Sequence, residues 1–279
     1  MKNALRQMIR EDIGFEDITT NALIDHDMHA RAEILSREKG VIAGVDVAEM
    51  ILADFDLDYS VNYLDGDTVT ENDIIISIEG NVRSILSVER TILNLMMRMS
   101  GIATLTAKMV NKALQANPDI IIAATRKTTP GIQFFEKQAV KAGGGDTHRF
   151  RLDDCVMVKD NHIAAVGNLK AAIDKAKKNV SFTKKIEVEV ESLGDAILAA
   201  QMGVDIIMLD NMSPEDIKKI LNELVKLDLR ENVIIEASGR INPDNMVDYA
   251  LSGVDVISMG FITHSAPILD LSLELIQIG

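Results

Sequence analysis

Short apolar runs rich in β-branched residues alternate with segments of helical spacing through the second half of the chain. The runs predict six strands, at residues 119–125, 155–160, 185–191, 205–210, 233–238 and 254–260. The segments between them predict helices at 163–178, 193–202, 213–226 and 243–252. Repeated strand–helix units with short connections predict a parallel sheet covered by helices. Six such units favour a (β/α) barrel, with a doubly wound sheet as the alternative, because strand order cannot be read from one sequence.

The helix predicted at 213–226 has a well-defined start. Ser213 is a preferred N-cap residue, and Pro214 suits the first helical turn. Glu215 and Asp216 place negative charge near the positive end of the helix dipole. We therefore expect Ser213 to cap this helix.

Before residue 110 the pattern is mixed. Residues 30–44 alternate and then break at two glycines, which predicts strands and a turn. Residues 45–55 have helical spacing, and residues 61–80 predict a hairpin or a small barrel segment. This change of pattern predicts two domains. They are an N-terminal α/β domain over 1–110, on which 267–279 packs back, and a (β/α) barrel catalytic domain over 111–266.

A long helix is predicted over residues 87–114, which lack proline and have strong helical periodicity. One stripe of this helix is polar or small, and its members are Arg90, Asn94, Arg98, Gly101 and Thr104. The spacing alone favours a core helix whose stripe faces solvent. The alternative is that Arg90 points into a site or across a subunit contact.

Composition and charge exclude several classes of function. The 279 residues are 47% apolar and carry a formal net charge of −14, which does not suit nonspecific binding of nucleic acid. The chain has no basic amphipathic face for a membrane surface and no apolar stretch that would span a bilayer. Its single cysteine, Cys155, allows no intrachain disulfide and no thiolate zinc cluster. Since the N-terminus also lacks a signal-peptide pattern, we expect a cytoplasmic protein that binds neither nucleic acid nor membrane.

Candidate chemistry gathers after the predicted strands. The carboxyl ends of barrel strands meet at one face, and active sites lie there. The polar residues and glycines at these positions are Thr125, Arg126, Lys127, Lys159, Asp160, Asn161, His162, Asp210, Asn211, Ser238, Gly239, Ser258, Gly260, Thr263 and His264. Any one of them alone is typical of a solvated loop. Their accumulation at one end of the barrel predicts a site.

Three carboxylates, Glu187, Glu189 and Glu191, alternate along one predicted strand and therefore share one of its faces. On an antiparallel sheet such a face would be solvated. A strand in a parallel sheet is normally buried on both faces, where a carboxylate is costly unless a cation or metal pairs with it. The pattern therefore favours a functional role for at least one of the three.

A local excess of positive charge indicates an anionic ligand. From Arg126 to Lys159 seven cations accompany four anions, although the whole chain is acidic. Arginine suits bidentate contacts with carboxylate or phosphate, and lysine acts as a point charge. Glycine-rich turns can present backbone N–H groups to phosphate, and Glu189 and Asp210 suit ribose hydroxyls or Mg²⁺. These features predict a barrel enzyme whose substrate combines phosphates with other negative groups.

Nine blocks of the sequence resemble those of the quinolinate phosphoribosyltransferase family. In chain order they are EDIGFEDITT, ERTILNLMMRMSGIAT, TRKTTPG, GGGDTHRF, VKDNHI, IEVEVES, IIMLDNMSPE, EASG and VDVISMGFITHSAPILDLSL. The resemblance covers the chain from about residue 10 to its C-terminus. One such block would be a weak signal, whereas nine in register are specific.

The resemblance implies a fold, an activity and an assembly. The fold is an N-terminal α/β sandwich-like domain followed by an open or irregular (β/α) barrel of the TIM-like type. The activity is that of a carboxylating pentosyltransferase of NAD biosynthesis. It condenses quinolinate with phosphoribosyl pyrophosphate, giving nicotinate mononucleotide, pyrophosphate and CO₂, with Mg²⁺ as cofactor. The assembly is a homodimer, with a hexamer as the larger alternative.

The resemblance also implies roles for single residues. Quinolinate and pyrophosphate would be surrounded by Arg126, Lys127, His148, Arg149 and Lys159, and the ribose hydroxyls and metal would be held by Glu189 and Asp210. The 5′-phosphate pocket would be lined by Ser238, Gly239, Gly260 and His264, with Ser258 as a further substrate-binding residue at a strand end. Lys127, Lys159, Glu189 and Asp210 are the expected catalytic residues. Arg90 would reach the partner's site, which reverses the interpretation that helical spacing favours.

Three positions depart from the commonest family pattern: Ala124, Thr147 and Arg240. Three other functions stay open. A paralogue linked to molybdenum transport is disfavoured by the intact KDNH motif, and a nicotinate phosphoribosyltransferase without decarboxylation is disfavoured by the density of cations. A noncatalytic nucleotide sensor would not need the carboxylates of Glu189 and Asp210.

Overall fold

The computed structural model describes residues 1–278 of the chain. The helices are α1 (Lys2–Ile13), α2 (Ile18–Leu23), α3 (Val45–Asp54), α4 (Val82–Ala116), α5 (Gln133–Ala142), α6 (Asp160–Val166), α7 (Leu169–Asn179), α8 (Leu193–Gln201), α9 (Pro214–Lys226), α10 (Met246–Ala250) and α11 (Phe261–His264), with a 3-10 turn at Arg230–Asn232. The strands are β1 (His29–Ser36), β2 (Gly40–Val41), β3 (Asp58–Val61), β4 (Thr68–Val69), β5 (Ile74–Asn81), β6 (Ile121–Ala123), β7 (Val156–Val158), β8 (Ile186–Val190), β9 (Ile206–Asp210), β10 (Ile234–Ser238), β11 (Val256–Ser258) and β12 (Leu271–Ile278).

These elements divide between two compact units. The first unit consists of Met1–Ala107, Phe134–Gly144 and the segment that begins at Ala266. The second unit consists of Lys108–Gln133 and Gly145–Ser265. Residues 134–144 therefore belong to the first unit, although they lie inside the range that the sequence predicts for the barrel domain.

The first unit is built on an antiparallel sheet with the strand order β12-β1-β5-β3. Burial alternates along β1, so that Ala30, Ala32 and Ile34 pack inward, as expected for a sheet with one covered face. Val61 pairs with Ile76, which confirms the hairpin predicted at 61–80, although β4 in between pairs with β2 instead. The sequence did not predict α1, α2 or the strand β12.

The helix α4 corrects the interpretation of its polar stripe. Arg90 is exposed, but Arg98 donates to the buried carboxylate of Glu136 at 2.7 Å. Gly101 approaches the chain so closely that a Cβ there would lie 1.9 Å from the carbonyl oxygen of Pro267. Thr104 accepts a hydrogen bond from the Val41 backbone at 2.8 Å. Only the first part of the stripe faces solvent, because the rest packs inside the first unit.

The second unit contains a six-stranded, wholly parallel sheet with the order β6-β11-β10-β9-β8-β7. A doubly wound sheet would reverse its strand order at a switch point. Here the order runs steadily from β7 to β11 and then returns to β6, as in a (β/α) barrel. Within the described residues β6 and β7 do not pair, so the barrel is open. The predicted α/β fold with an open barrel is confirmed.

The segment after α5 covers the free edge of β6. Asp146 forms a parallel bridge with Ala123, and the backbone of Asp146 exchanges hydrogen bonds with Ile122 and Ala124 at 2.8 and 2.9 Å. The glycine-rich GGGDTHR motif therefore runs alongside a barrel strand. This position brings His148 and Arg149 to the carboxyl end of the sheet.

The helices around this sheet follow local sequence signals. The Ser213 hydroxyl accepts a hydrogen bond from the Asp216 backbone at 3.2 Å, which confirms Ser213 as the N-cap of α9. The helix predicted at 163–178 is two helices, because Gly167, at φ 114°, ends α6 and Asn168 caps α7. None of the described helices, including the 35-residue α4, combines the length and the apolar character that crossing a bilayer requires.

Candidate active site

A cavity of about 530 Å³ opens at the carboxyl ends of the barrel strands. Residues from all six strand ends and from the GGGDTHR segment line it. They are Ala124, Thr125, Arg126, Lys127, His148, Arg149, Met157, Lys159, Glu189, Met208, Asp210, Asn211, Glu236, Ser238, Gly239, Arg240 and Ser258. Ten of the predicted site residues therefore share one cavity: Arg126, Lys127, His148, Arg149, Lys159, Glu189, Asp210, Ser238, Gly239 and Ser258.

The cavity contains more positive than negative side chains. Five lining residues are lysine or arginine, and three are carboxylates. Three cations of the region counted in the sequence do not line the cavity: Lys137 and Lys141 lie on α5 in the first unit, where Lys137 is fully buried, and Arg151 is exposed outside the cavity. The charge excess at the strand ends therefore comes from residues that line the cavity directly. Such a surface focuses its field on a small anion.

The TRK segment follows β6 without a helix of its own. Arg126 and Lys127 are exposed, and the Lys127 backbone N–H donates to the Thr125 hydroxyl at 3.1 Å. The Lys127 carbonyl accepts a hydrogen bond from the Thr263 hydroxyl at 2.8 Å. The backbone of this loop is therefore held in place, while both cationic side chains reach the cavity.

The KDNH motif joins β7 to α6. The Lys159 backbone N–H donates to His162 Nδ1 at 3.0 Å, so that His162 caps the helix start. The Lys159 ammonium forms an ion pair with the Glu189 carboxylate on β8. A cation and a carboxylate from neighbouring strands thus meet at the cavity wall.

Hydrogen bonds join the carboxyl ends of the strands β9 and β10. The Asn211 amide donates to Asp210 Oδ2 at 2.5 Å, and the Asn211 backbone donates to the Ser238 carbonyl at 2.9 Å. Gly239 has a φ of 93°, and a Cβ there would lie 2.4 Å from Asn211 Oδ1. Only glycine fits this turn, which leaves its backbone open to the cavity.

A second cavity of about 600 Å³ adjoins the first and shares Lys127, Ser238 and Gly239 with it. Gly260 and His264, the two remaining predicted phosphate-pocket residues, line this second cavity. His264 lies on the short helix α11, and its Nδ1 is 2.6 Å from the Ser265 hydroxyl. The predicted site residues therefore line two adjoining cavities. Five cationic side chains line the first cavity, and the turns at Gly239 and Gly260 line the second.

Two buried carboxylates lie beneath the first cavity. His148 Nε2 is 3.1 Å from Glu236 and 3.6 Å from Glu187. The pKa of Glu187 is raised to about 7, mainly because its carboxyl group is buried and secondly because the negative charge of Glu236 is close by. Neither oxygen of Glu187 accepts a hydrogen bond from the described part of the chain. Glu187 does not line the first cavity but a third one, of about 380 Å³, which His148, Arg149 and Glu236 share with the first.

Sequence reasoning overlooked Glu236 as a site residue. The available signal resembled that for Glu187: a carboxylate inside an apolar strand that is buried on both faces. Arg240 was identified only as a departure from the family pattern, yet it lines both connected cavities. It has a φ of 52°, which is unusual for a residue with a side chain.

Arg90 lies on α4 in the first unit and does not line either cavity. Its side chain is 59% exposed, and its guanidinium is 3.4 Å from the carboxylate of Glu89. The exposed position leaves Arg90 accessible on the surface of that unit.

Comparisons with known proteins agree across the whole chain. Residues 17–100 match the family described as the quinolinate phosphoribosyl transferase N-terminal domain, and residues 102–274 match the corresponding C-terminal domain. A Methanothermobacter thermautotrophicus protein named "Probable nicotinate-nucleotide pyrophosphorylase (carboxylating)" is 59% identical over 99% of both chains. The rat protein named nicotinate-nucleotide pyrophosphorylase (carboxylating) is 36% identical over 92% of this chain and 86% of its own.

Solved structures show the same relationship. The crystal structure of NadC from Streptococcus pyogenes is 41% identical, with a TM-score of 0.90 over 99% of this chain and 96% of that one. Human nicotinic acid phosphoribosyltransferase is 12% identical, with a TM-score of 0.66 over 99% of this chain and 74% of that one, and so shares only the fold.

Proposed function

The chain belongs to the quinolinate phosphoribosyltransferase family, and we propose that its strand-end cavity is the site of phosphoribosyl transfer to quinolinate. The protein is an enzyme, a pentosyltransferase of the carboxylating nicotinate-nucleotide pyrophosphorylase type. It joins quinolinate to the phosphoribosyl group of phosphoribosyl pyrophosphate. The products are nicotinate mononucleotide, pyrophosphate and CO₂.

One observation carries the assignment of the site. Arg126, Arg149 and Lys159 come from separate segments of the chain and line one cavity, together with the carboxylates of Glu189 and Asp210. Quinolinate has two carboxylates, and phosphoribosyl pyrophosphate has a pyrophosphate and a phosphate. A cationic cavity with two carboxylates at one side suits a polyanionic pair whose ribose ring becomes positive during the reaction.

The anions have different partners in this proposal. Arg126 and Arg149 bind the quinolinate carboxylates, because a guanidinium can donate two parallel hydrogen bonds to a carboxylate. Lys127 and Lys159 act as point charges near pyrophosphate and quinolinate. The 5′-phosphate occupies the second cavity, where Ser238, Gly239, Gly260 and His264 surround it.

The carboxylates act on the ribose. Departure of pyrophosphate develops positive charge on the sugar ring, as in other glycosyl transfers. Glu189 and Asp210 stabilise that charge and accept hydrogen bonds from the ribose hydroxyls. Bond formation makes the pyridine nitrogen cationic, and this favours loss of the adjacent carboxylate as CO₂. The site supplies positioning and electrostatics and needs no covalent nucleophile.

The residues present also fit Mg²⁺. Glu189 and Asp210 lie on the neighbouring strands β8 and β9 and both line the cavity, so they offer the oxygen ligands that this ion prefers. Mg²⁺ held there with substrate would supply charge neutralisation for the leaving pyrophosphate. Lys159 exchanges part of its ion pair with Glu189 for contact with the substrate anion when the substrate binds.

The active assembly in this proposal is a homodimer. Arg90 is exposed on the first unit, where its guanidinium has only the neighbouring Glu89 as a partner within the described residues. A long cationic side chain in this position is suited to a site on a second chain. We assign to the partner's Arg90 a contact with the quinolinate carboxylates.

The test is an assay of the purified protein with phosphoribosyl pyrophosphate and Mg²⁺, supplied with either quinolinate or nicotinate. We expect CO₂ and nicotinate mononucleotide in equal amounts from quinolinate, and no product with nicotinate. Omission of Mg²⁺ or addition of a chelator should abolish turnover. Product from nicotinate with no CO₂ from quinolinate would instead identify a phosphoribosyltransferase that does not decarboxylate.

A further inference from the structure

The imidazole of His148 has both ring nitrogens engaged by the protein. The backbone N–H of Arg149 donates to Nδ1 at 2.8 Å, so this nitrogen must offer a lone pair. Nε2 lies 3.1 Å from Glu236 Oε2 and therefore carries the ring proton and donates it. The contacts define one neutral tautomer, because an imidazolium would place a second proton against the Arg149 N–H.

Glu236 is fixed from two sides. Its side chain is buried on β10, where Oε1 accepts the Ser258 hydroxyl at 2.5 Å and Oε2 accepts the His148 ring proton. Ser258 is itself buried at the end of β11. The hydrogen bonds thus run from one strand to the next and then to the GGGDTHR segment. Ser258 thus orients the Glu236 carboxylate, and Glu236 in turn orients the His148 ring.

The backbone at His148 needs such support. Its φ is 50°, in the left-handed region that residues with a side chain rarely adopt. Its N–H donates to Asp146 Oδ1 at 2.6 Å, and its side chain is held by Glu236. The direction in which the next residue, Arg149, leaves the chain depends on this conformation. A strained backbone next to a binding residue persists only where its surroundings hold it.

We propose that Glu236 is a positioning residue for quinolinate binding, acting through His148 on Arg149. In this arrangement His148 directs no ring N–H into the first cavity, and its contribution is to hold Arg149 in place. The inference rests on the proposed function of the cavity, since Arg149 is assigned there to the quinolinate carboxylates. It gives Glu236, the first residue of the EASG block, a role and a route to Arg149 that the resemblance did not assign.

The same three side chains could be taken for a cation site, because one ligand atom each from His148, Glu187 and Glu236 lie within 4.8 Å of one another. The hydrogen bonds argue against this. A metal-bound Nε2 would have to give up its proton, and Nδ1 would then carry a proton facing the Arg149 N–H. The arrangement is therefore that of an oriented imidazole.

The first test requires no turnover. ¹⁵N NMR of the histidine-labelled protein distinguishes protonated from unprotonated ring nitrogens, and the His148→Asn variant assigns the signal among the five histidines. We expect a protonated Nε2 and an unprotonated Nδ1 near pH 7. A proton on Nδ1, alone or together with Nε2, would overturn the proposal whether or not the enzyme acts on quinolinate.

The second test compares two buried glutamates. Glu236→Leu removes both acceptor contacts, so His148 Nε2–H loses this acceptor and we expect a rise of about 10-fold or more in the KM for quinolinate. The KM for phosphoribosyl pyrophosphate should change less than about 2-fold. Glu187→Leu is the matched control, because Glu187 accepts no hydrogen bond in the described part of the chain and lines neither cavity of the site.

Glu187→Leu should leave both KM values and the His148 tautomer unchanged. Equal effects of the two variants on quinolinate KM, or no effect of Glu236→Leu, would reject a positioning role. If Glu236→Leu does not fold, Ser258→Ala removes the contact on the other side of the carboxylate and is measured in its place, with the same shift of the quinolinate KM expected. If the wild-type assay yields no CO₂, the proposed function fails, while the tautomer measurement still decides the hydrogen-bond network.

Discussion

The ammonium of Lys159 is paired with the carboxylate of Glu189, which projects from the adjacent strand of the barrel. The Lys159 side chain is 40% exposed, whereas that of Glu189 is 13% exposed. Any anion that binds Lys159 must therefore compete with a carboxylate that is already in place. When an anion binds Lys159, the Glu189 carboxylate loses part of its partner and presents more negative charge beside the ribose.

Lys159→Met should lower kcat/KM by about 100-fold or more, because it removes an anion-binding charge and leaves Glu189 unpaired. Since the pair is partly exposed, the free energy of unfolding should change by no more than about 1 kcal/mol. Lys219→Met is the control, since Lys219 pairs with Asp216 on the outer surface of α9 at 2.7 Å. Steady-state kinetics and chemical denaturation measure both effects. An active Lys159→Met enzyme would contradict the assigned role.

Arg126→Ala should reduce kcat/KM for quinolinate by about 100-fold, since a bidentate contact with a carboxylate is lost. Arg126→Lys should recover only part of this, because an ammonium cannot form the paired contact. The matched control is Arg151→Ala, which removes an exposed arginine from the same basic region outside both cavities. Similar kinetics for Arg126→Ala and Arg151→Ala would show that the cavity does not bind quinolinate through Arg126.

Arg90→Ala and Lys159→Ala should each be inactive alone and should recover activity when mixed. A hybrid dimer contains one site that has both an intact Lys159 and the partner's Arg90. If subunits exchange freely, half of the dimers are hybrids and about a quarter of all sites are intact. The measurement is CO₂ release after co-refolding, with each variant refolded alone as the control. Absence of recovery in a mixture shown to contain hybrids would remove Arg90 from a shared site.

Glu187→Gln should stabilise the protein at high pH. The folded-state pKa of Glu187, about 7, lies above its ordinary value of 4.5, so the folded chain holds more protons than the unfolded chain between these values. Stability of the wild type should therefore fall as the pH rises through this range. The variant should lack this loss and gain about 1–3 kcal/mol at pH 8, with little gain at pH 4. Urea denaturation at both pH values tests this, and a larger gain at pH 4 would have the wrong sign.

Arg240→Gly should increase the stability of the fold and weaken the binding of phosphoribosyl pyrophosphate. At a φ of 52°, glycine relieves backbone strain, and we expect a net gain of about 0.5–1 kcal/mol in the free energy of unfolding. The guanidinium has no hydrogen-bond or ion-pair partner within residues 1–278 and lines both cavities, so its loss should raise the KM for phosphoribosyl pyrophosphate. Arg240→Lys retains the charge and should preserve that KM. A variant that is stabilised but kinetically unchanged would leave Arg240 with no part in phosphate binding.

The barrel strands were predictable because each is buried on both faces and so appears as a continuous apolar run. The strand-end residues were predictable for a related reason, since polar groups follow these runs directly in the sequence. The helix α5 was not predicted, because its buried residues include Glu136 and Lys137. The burial of the Glu136 carboxylate is explained by its ion-pair partner Arg98, which is 38 residues away along the chain.

The inner part of the site depends on contacts that no local pattern encodes. Glu236 meets Ser258 and His148 across 22 and 88 residues of sequence, respectively. The family motifs identified His148, but the state of its ring follows from the Arg149 backbone and from Glu236. Sequence therefore indicated which residues gather at the strand ends, and the three-dimensional arrangement indicated which of them support others.

The discontinuity of the two units limits how the enzyme can be dissected. A fragment cut as one contiguous piece from Lys108 to Ser265 would contain the barrel strands, but it would also carry α5, whose apolar residues Phe135, Ala139 and Val140 are buried in the other unit. Such a fragment would expose these apolar side chains as a hydrophobic patch and would aggregate. A soluble miniature barrel would need a designed linker in place of residues 134–144.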